Sequence, residues 1–212
     1  MSGTTVNHLI GLLGRRWRQR RMAMFIDRFG PTPDTRILDV GGTVAFWSSA
    51  EIRSQIVVLN TAVLATGEGS GNITYRQGDG TALGFQDGEF DIVFSNSVIE
   101  HLGTLQSQRQ MAREIRRVGR AYWVQTPARG FPFDAHLLAL FIHWLPRRMH
   151  RYLAPVTPYA LLSGASGAQA RETVDELRFV SIREMRCLFP DAVLWRETVL
   201  GITKSFVAYR RL

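Results

Sequence analysis

The residues able to do chemistry in this sequence fall at the ends of short apolar runs. Arg36-Ile37-Leu38-Asp39-Val40-Gly41-Gly42-Thr43 sets a carboxylate and two glycines at the close of the first such run. Glycine there lets a ligand approach the backbone, and a helix starting just beyond offers amides with no partner of their own, so the segment suits a nucleotide-type ligand. A dinucleotide fingerprint needs three glycines at fixed offsets. Thr43 and Ala45 stand in their place, which disfavours hydride transfer. Asn60 ends the second run, Gln77-Gly78-Asp79-Gly80 ends the third, and Ser95-Asn96-Ser97-Val98-Ile99-Glu100-His101 follows the fourth. The imidazole of His101 suits proton transfer by its ordinary pKa, although a histidine capping a helix or bonded to core backbone has the same signature. His136 follows Phe131-Pro132-Phe133-Asp134. Asp134 can orient that ring for catalysis or cap a helix starting there.

These positions need a scaffold, and the pattern of the chain describes one. Runs at 36–40, 56–60, 73–77, 90–95 and 121–125 have strand length and alternate with Gly-rich or helical segments, which predicts a mainly parallel sheet with helices on both faces. Residues 5–29 place Val6, Ile10, Leu13, Trp17, Met24 and Phe25 near one side of a helix and arginines on the other, and Gly30-Pro31-Thr32-Pro33 stops it. A second helix is expected over 104–118. Ser181 and Glu184 have capping-box spacing for a third, and 192–199 with 203–209 reads as an antiparallel hairpin about Gly201. Residues 135–146 are almost wholly apolar and predict a buried helix or a lid; the small residues of 163–171 predict a loop. The expected organisation is a basic amphipathic helix over 1–30 and one domain over 31–212, with a helical lid insertion at about 131–175.

Composition narrows the partners. The chain has 212 residues and a net charge of +8 carried by arginine, Lys204 being the only lysine. Guanidinium suits phosphate or carboxylate, but no nucleic-acid reading motif accompanies it, so nucleic acid is not an expected partner. The single cysteine, Cys187, excludes an internal disulfide and a cysteine-based zinc site, and no metal is expected. No run reaches the ~18 apolar residues of a spanning helix, and the basic start lacks an export signal. A cytoplasmic protein is expected, with peripheral contact at the inner membrane surface compatible with the basic helix and the apolar stretch. The oligomeric state is left open.

Taken in order, the four strand ends resemble the class I S-adenosylmethionine-dependent methyltransferases, over about residues 34–127 and again over about 178–209. The resemblance implies a Rossmann-like three-layer α/β sandwich whose seven-stranded, mainly parallel sheet ends in an antiparallel pair. It implies S-adenosylmethionine as cofactor, its methionine part at Asp39, Gly41 and Gly42. Asn60 would meet the ribose hydroxyls where the family usually has an acid, Asp79 and Gly80 the adenine, and Ser95 the turn beside the transferred methyl. His101 and His136 are the catalytic candidates. The implied reaction is methylation, at oxygen, of a small-molecule, glycan or lipid-linked acceptor; Leu188-Phe189-Pro190-Asp191 and 201–206 are similar to the closing helix and hairpin of small methyltransferases often found among glycan- and lipid-tailoring enzymes, which supports the architecture and says little about the acceptor. Ser95-Asn96-Ser97-Val98 replaces the Asn-Pro-Pro-Tyr signature of amino-methylating members. The alternative is a non-catalytic or weakly active binding module, because Thr43, Ala45 and Asn60 replace usual cofactor contacts.

Overall fold

The computed structural model describes residues 3–50, 52–61, 71–134 and 136–211, with side chains for all of these except 3–15, His143 and Arg147. The chain runs α1 (Gly3–Phe29), β1 (Arg36–Val40), α2 (Val44–Ser48), β2 (Gln55–Asn60), β3 (Ile73–Gln77), β4 (Phe90–Asn96), α3 (Leu105–Val118) and β5 (Gly119–Pro127). A short hairpin, β6 (Phe133–Asp134) and β7 (Ala139–Leu140), leads to α4 (Arg147–Leu153), α5 (Pro158–Ser163), α6 (Gly167–Glu176) and α7 (Ile182–Leu188). The strands β8 (Val193–Val199) and β9 (Ile202–Arg210) close the fold.

Seven strands form one sheet in the order β3-β2-β1-β4-β5-β9-β8. The first five are parallel, while β9 joins β5, and β8 joins β9, in antiparallel fashion. This is the expected Rossmann-like arrangement. Chain order reverses between β1 and β4, so the crevice at their carboxyl ends is where such a sheet takes a ligand.

Alternation along β1 decides which side chain faces which layer. Leu38 and Val40 enter a core that Met111 and Ile115 of α3 and Met185 and Leu188 of α7 cover. Ile37 points the other way, into a core with Phe25, Trp47, Phe94 and Trp123. With a side-chain period of two, Asp39 shares that second face. Phe25 packs α1 there, its ring centroid 5.1 Å from Phe94 and 5.9 Å from Trp123. The apolar stripe expected at Val6, Ile10 and Leu13 lies outside the described side chains.

Two expectations between β5 and α7 are corrected. The described residues 136–146 do not form an apolar helix. Asp134 Oδ1 accepts from the amides of His136 and Leu137, which ties the chain into a turn, and Leu138 and Phe141 adopt φ of +52° and +57°. A side-chain acceptor for these amides competes with the helical pattern, and left-handed residues cannot continue it. His143 and His150 are therefore not on one long helix with His136. Residues 163–171 are not one loop either. Ser166 and Gln169 form a reciprocal capping box that starts α6 inside the small-residue stretch. The expected capping box at Ser181 and Glu184 does start α7.

Candidate active site

The turn after β1 is built around a buried carboxylate. Asp39 is 1% exposed, and the Trp47 indole donates to its Oδ2 at 2.5 Å. Its Oδ1 has no hydrogen-bond partner among the described residues. Gly42 lies directly over the carboxylate: a Cβ there would sit 1.6 Å from Asp39 Oδ2. Gly41 has φ +81°, and its Cβ would meet Val98 at 2.5 Å. Asn60 Nδ2 donates to the carbonyls of Gly42 (2.9 Å) and Gly41 (3.4 Å), so the end of β2 pins the turn that ends β1.

Burial pushes the Asp39 carboxyl up to about 7, against the opposing Trp47 bond. Between the ordinary carboxylate range and about 7 the folded chain keeps a proton that the unfolded chain has lost. Stability from this group is therefore full at acid pH and falls as pH rises towards 7, by on the order of 4 kcal/mol at ~1.4 kcal/mol per unit. Asp39→Asn removes that slope. Thermal melts from about pH 5 to about pH 8 are expected to show the variant gaining on the wild type up to about pH 7 and running parallel to it above; curves parallel over the whole range would refute the buried ionisable carboxyl.

A cavity of about 450 Å³ lies across the carboxyl ends of β1 to β4, with Gly41, Asn60, Asp79, Gly80, Ser97 and His101 among its lining residues. Asp79 Oδ1 accepts from the amide and hydroxyl of Thr81, both at 2.8 Å, which fixes the carboxylate at the rim. Ser95 is buried and its Oγ donates to the Val40 carbonyl at 3.0 Å, so it braces β1 against β4 from beneath the cavity. Ser97, a non-glycine with φ +57°, turns the chain after β4 and donates to Gln125 Oε1 at 2.9 Å.

Four side chains from the ends of β4 and β5 converge beside this cavity. Glu100 and His101 lie in a 3₁₀ turn over Ile99–Leu102, and Asp134 and His136 follow β5. Glu100 is fully buried; its Oε2 accepts from Thr126 at 2.9 Å, while Oε1 lies 3.9 Å from His136 Nε2 with no hydrogen-bond partner among the described residues. His136 Nδ1 is 3.3 Å from Asp134 Oδ1, and the His101 and His136 rings meet edge to face with centroids 4.8 Å apart. Burial pushes Glu100 up to about 7, although hydrogen bonds and His136 oppose it. Surrounding protein, then the charge of His136, push His101 down to about 4. For His136 burial is the largest influence and favours the neutral ring, but Asp134 and Glu100 together outweigh it and hold its pKa above the usual value.

His101 also lines a second, more open groove of about 940 Å³ between the site and α6. Asp79, His101, Leu102 and Glu176 border both spaces, so the groove and the cavity meet at the imidazole. Of the residues singled out from sequence, the fold thus gathers Gly41, Asn60, Asp79, Gly80 and His101 around one cavity and sets His136 against His101. Asp39, Gly42 and Ser95, expected at the cofactor, do not line it: Asp39 and Ser95 are buried in the sheet and hold β1, and Gly42 packs on the Asp39 carboxylate. Sequence reasoning gave no role to Glu100 or Thr126, and did not foresee the bond from Trp47 to Asp39. The signal for Glu100 was an acid directly between an apolar residue and a histidine after a buried strand.

Residues 50–121 match the methyltransferase domain family. Among solved structures, Haemonchus contortus phosphoethanolamine N-methyltransferase 2 in complex with S-adenosyl-L-methionine superposes with a TM-score of 0.56 at 16% identity, covering 84% of this chain and 39% of that one. The chain therefore spans about two fifths of that enzyme's length. An S-adenosylmethionine-dependent methyltransferase from Aquifex aeolicus superposes with a TM-score of 0.50 at 12% identity, covering 89% of this chain and 87% of that one. No curated protein matches the sequence.

Proposed function

We propose that this chain, which carries a methyltransferase domain of the class I S-adenosylmethionine-dependent type, methylates a hydroxyl oxygen of a small-molecule, glycan or lipid-linked acceptor. The observation that carries the proposal is the junction at His101, where a nucleotide-sized cavity at the strand ends opens into a separate groove.

The cavity fits the cofactor. Asp79 and Gly80 stand where adenine would lie, Asn60 where the ribose would lie, and Gly41 and Gly42 form the turn for the amino-acid tail. Asp39, buried behind that turn and bonded to Trp47, holds its shape. When bound, S-adenosylmethionine supplies a methyl group on a sulfonium already activated for displacement. The protein's own work is alignment and easing loss of the acceptor's proton. His101 stands at the junction for that purpose with the His136 ring packed against it, and Asp134 holds the His136 ring in place.

A surface beyond the groove favours the lipid-linked class among these acceptors. Leu140, Phe141, Trp144, Tyr152, Val156 and Leu161 are all exposed in the segment between β6 and α6, beside Arg148 and Arg151. Exposed apolar and basic side chains along one segment suit an anionic membrane surface. Among the described residues no helix is long and apolar enough to cross a membrane.

The proposal is tested by incubating the protein with methyl-labelled S-adenosylmethionine and panels of hydroxylated small molecules, glycans and lipid-linked glycans. Label in a methyl ether product is the expected result. Label only in amines, or in none of the three panels, would reject it.

A further inference from the structure

We infer that Glu100, His101 and His136 form a binding site for a divalent transition-metal ion at the mouth of the acceptor groove. The inference rests on the hydroxyl-methylating function proposed above and gives that same site a further component.

The geometry supplies an inner set of ligands. One carboxylate oxygen and one nitrogen from each ring lie within 4.8 Å of one another. Ligands of such an ion sit at ~2.0–2.2 Å from it, so neighbouring ligand atoms come within about 3–4 Å, and small side-chain rotations close the difference. Two imidazoles and a carboxylate on one side of an ion leave its other positions open. That donor set suits first-row divalent metals better than magnesium or calcium, which prefer oxygen throughout.

An outer set of contacts is in place as well. The His136 nitrogen that faces away from Glu100 lies against Asp134, the carboxylate–histidine arrangement that fixes a metal-binding imidazole. Asp134 is itself held by the amides of His136 and Leu137, and Thr126 fixes the far oxygen of Glu100. This leaves Glu100 Oε1, on a fully buried side chain, without a hydrogen bond and aimed towards the imidazole of His136. A carboxylate in that position is costly unless a cation or proton satisfies it. The expectation of no metal followed from the lone cysteine, and this donor set contains no sulfur.

An ion here would use its open positions for the acceptor oxygen. Coordination lowers the pKa of a bound hydroxyl, so its proton passes to water and the oxygen is left ready to take a methyl group.

The test needs neither an acceptor nor turnover. Metal-free protein is titrated with Co²⁺, Mn²⁺ and Zn²⁺, following calorimetric heat and, for Co²⁺, the visible ligand-field bands. One ion per chain at micromolar affinity is expected. Glu100→Gln and His136→Ala are each expected to weaken binding by about a hundredfold or more, and Asp134→Asn by ~10–100-fold. Unchanged affinity for S-adenosylhomocysteine in these variants shows that the fold survives. Absence of submillimolar binding of all three ions to the wild type, or full binding retained by both His136→Ala and Glu100→Gln, would overturn the site. Metal binding without methylation of any hydroxyl would remove the proposed reaction and leave the site standing; hydroxyl methylation by a chain that binds none of the three ions would do the reverse.

Discussion

Gly42→Ala is expected to disable the domain more completely than any other single methyl group added at the strand ends. The new Cβ would lie 1.6 Å from Asp39 Oδ2 and 2.3 Å from its Cγ. The carboxylate cannot yield, because the Trp47 indole holds it and buried aromatic side chains surround it. The turn must move instead, breaking the bonds from Asn60 to both glycine carbonyls. Overpacking of this severity costs about 3 kcal/mol or more, and for a chain of this size each kcal/mol lowers the melting temperature by roughly 2–4 °C. A drop of about 6–12 °C is therefore expected, with affinity for S-adenosylhomocysteine falling by about thirtyfold or more. Gly84→Ala is the control, since a Cβ there meets nothing within 4 Å. If both variants melt and bind like the wild type, the account of the turn is wrong.

The second large effect is expected at His136. Removing the ring takes away the imidazole 3.9 Å from the buried Glu100 Oε1, the partner of Asp134, and the ring packed against His101. Groups that help an acceptor lose its proton contribute ~10²–10⁴ in rate. With the acceptor identified, His136→Ala should slow turnover by about a hundredfold while cofactor affinity changes less than about twofold. His101→Ala should also slow turnover, by about tenfold or more, because its neutral ring borders both spaces. Unchanged rates in both variants would dismiss the imidazoles from the reaction.

The fold was legible because its signals are local. The first four parallel strands are short runs closed by Gly or Asn, the fifth is closed by Thr126-Pro127, and the closing hairpin turns on Gly201. The first strand's acidic residue could be read as important, yet not the direction of its side chain. That direction follows from alternation along β1 and from Trp47, eight residues on, folding back to meet it. Glu100 was illegible as a site residue because its surroundings come from two loops that only the sheet brings together. The stretch 135–146 misled for a related reason. Apolar periodicity is blind to the Asp134 carboxylate, which claims two backbone amides and turns the chain before a helix can start. By contrast, the reading of 163–171 as a loop rests on small-residue composition alone and gives no weight to the spacing of Ser166 and Gln169, which cap α6.

Everything proposed for catalysis depends on the cavity over Gly41 and Gly42 holding an S-adenosyl nucleotide. Calorimetric titration of the wild-type chain with S-adenosylhomocysteine tests this most directly. Saturable binding of one molecule per chain at micromolar affinity is the predicted result; a titration without heat into the millimolar range would contradict it and leave the domain a binding module that no longer takes the cofactor.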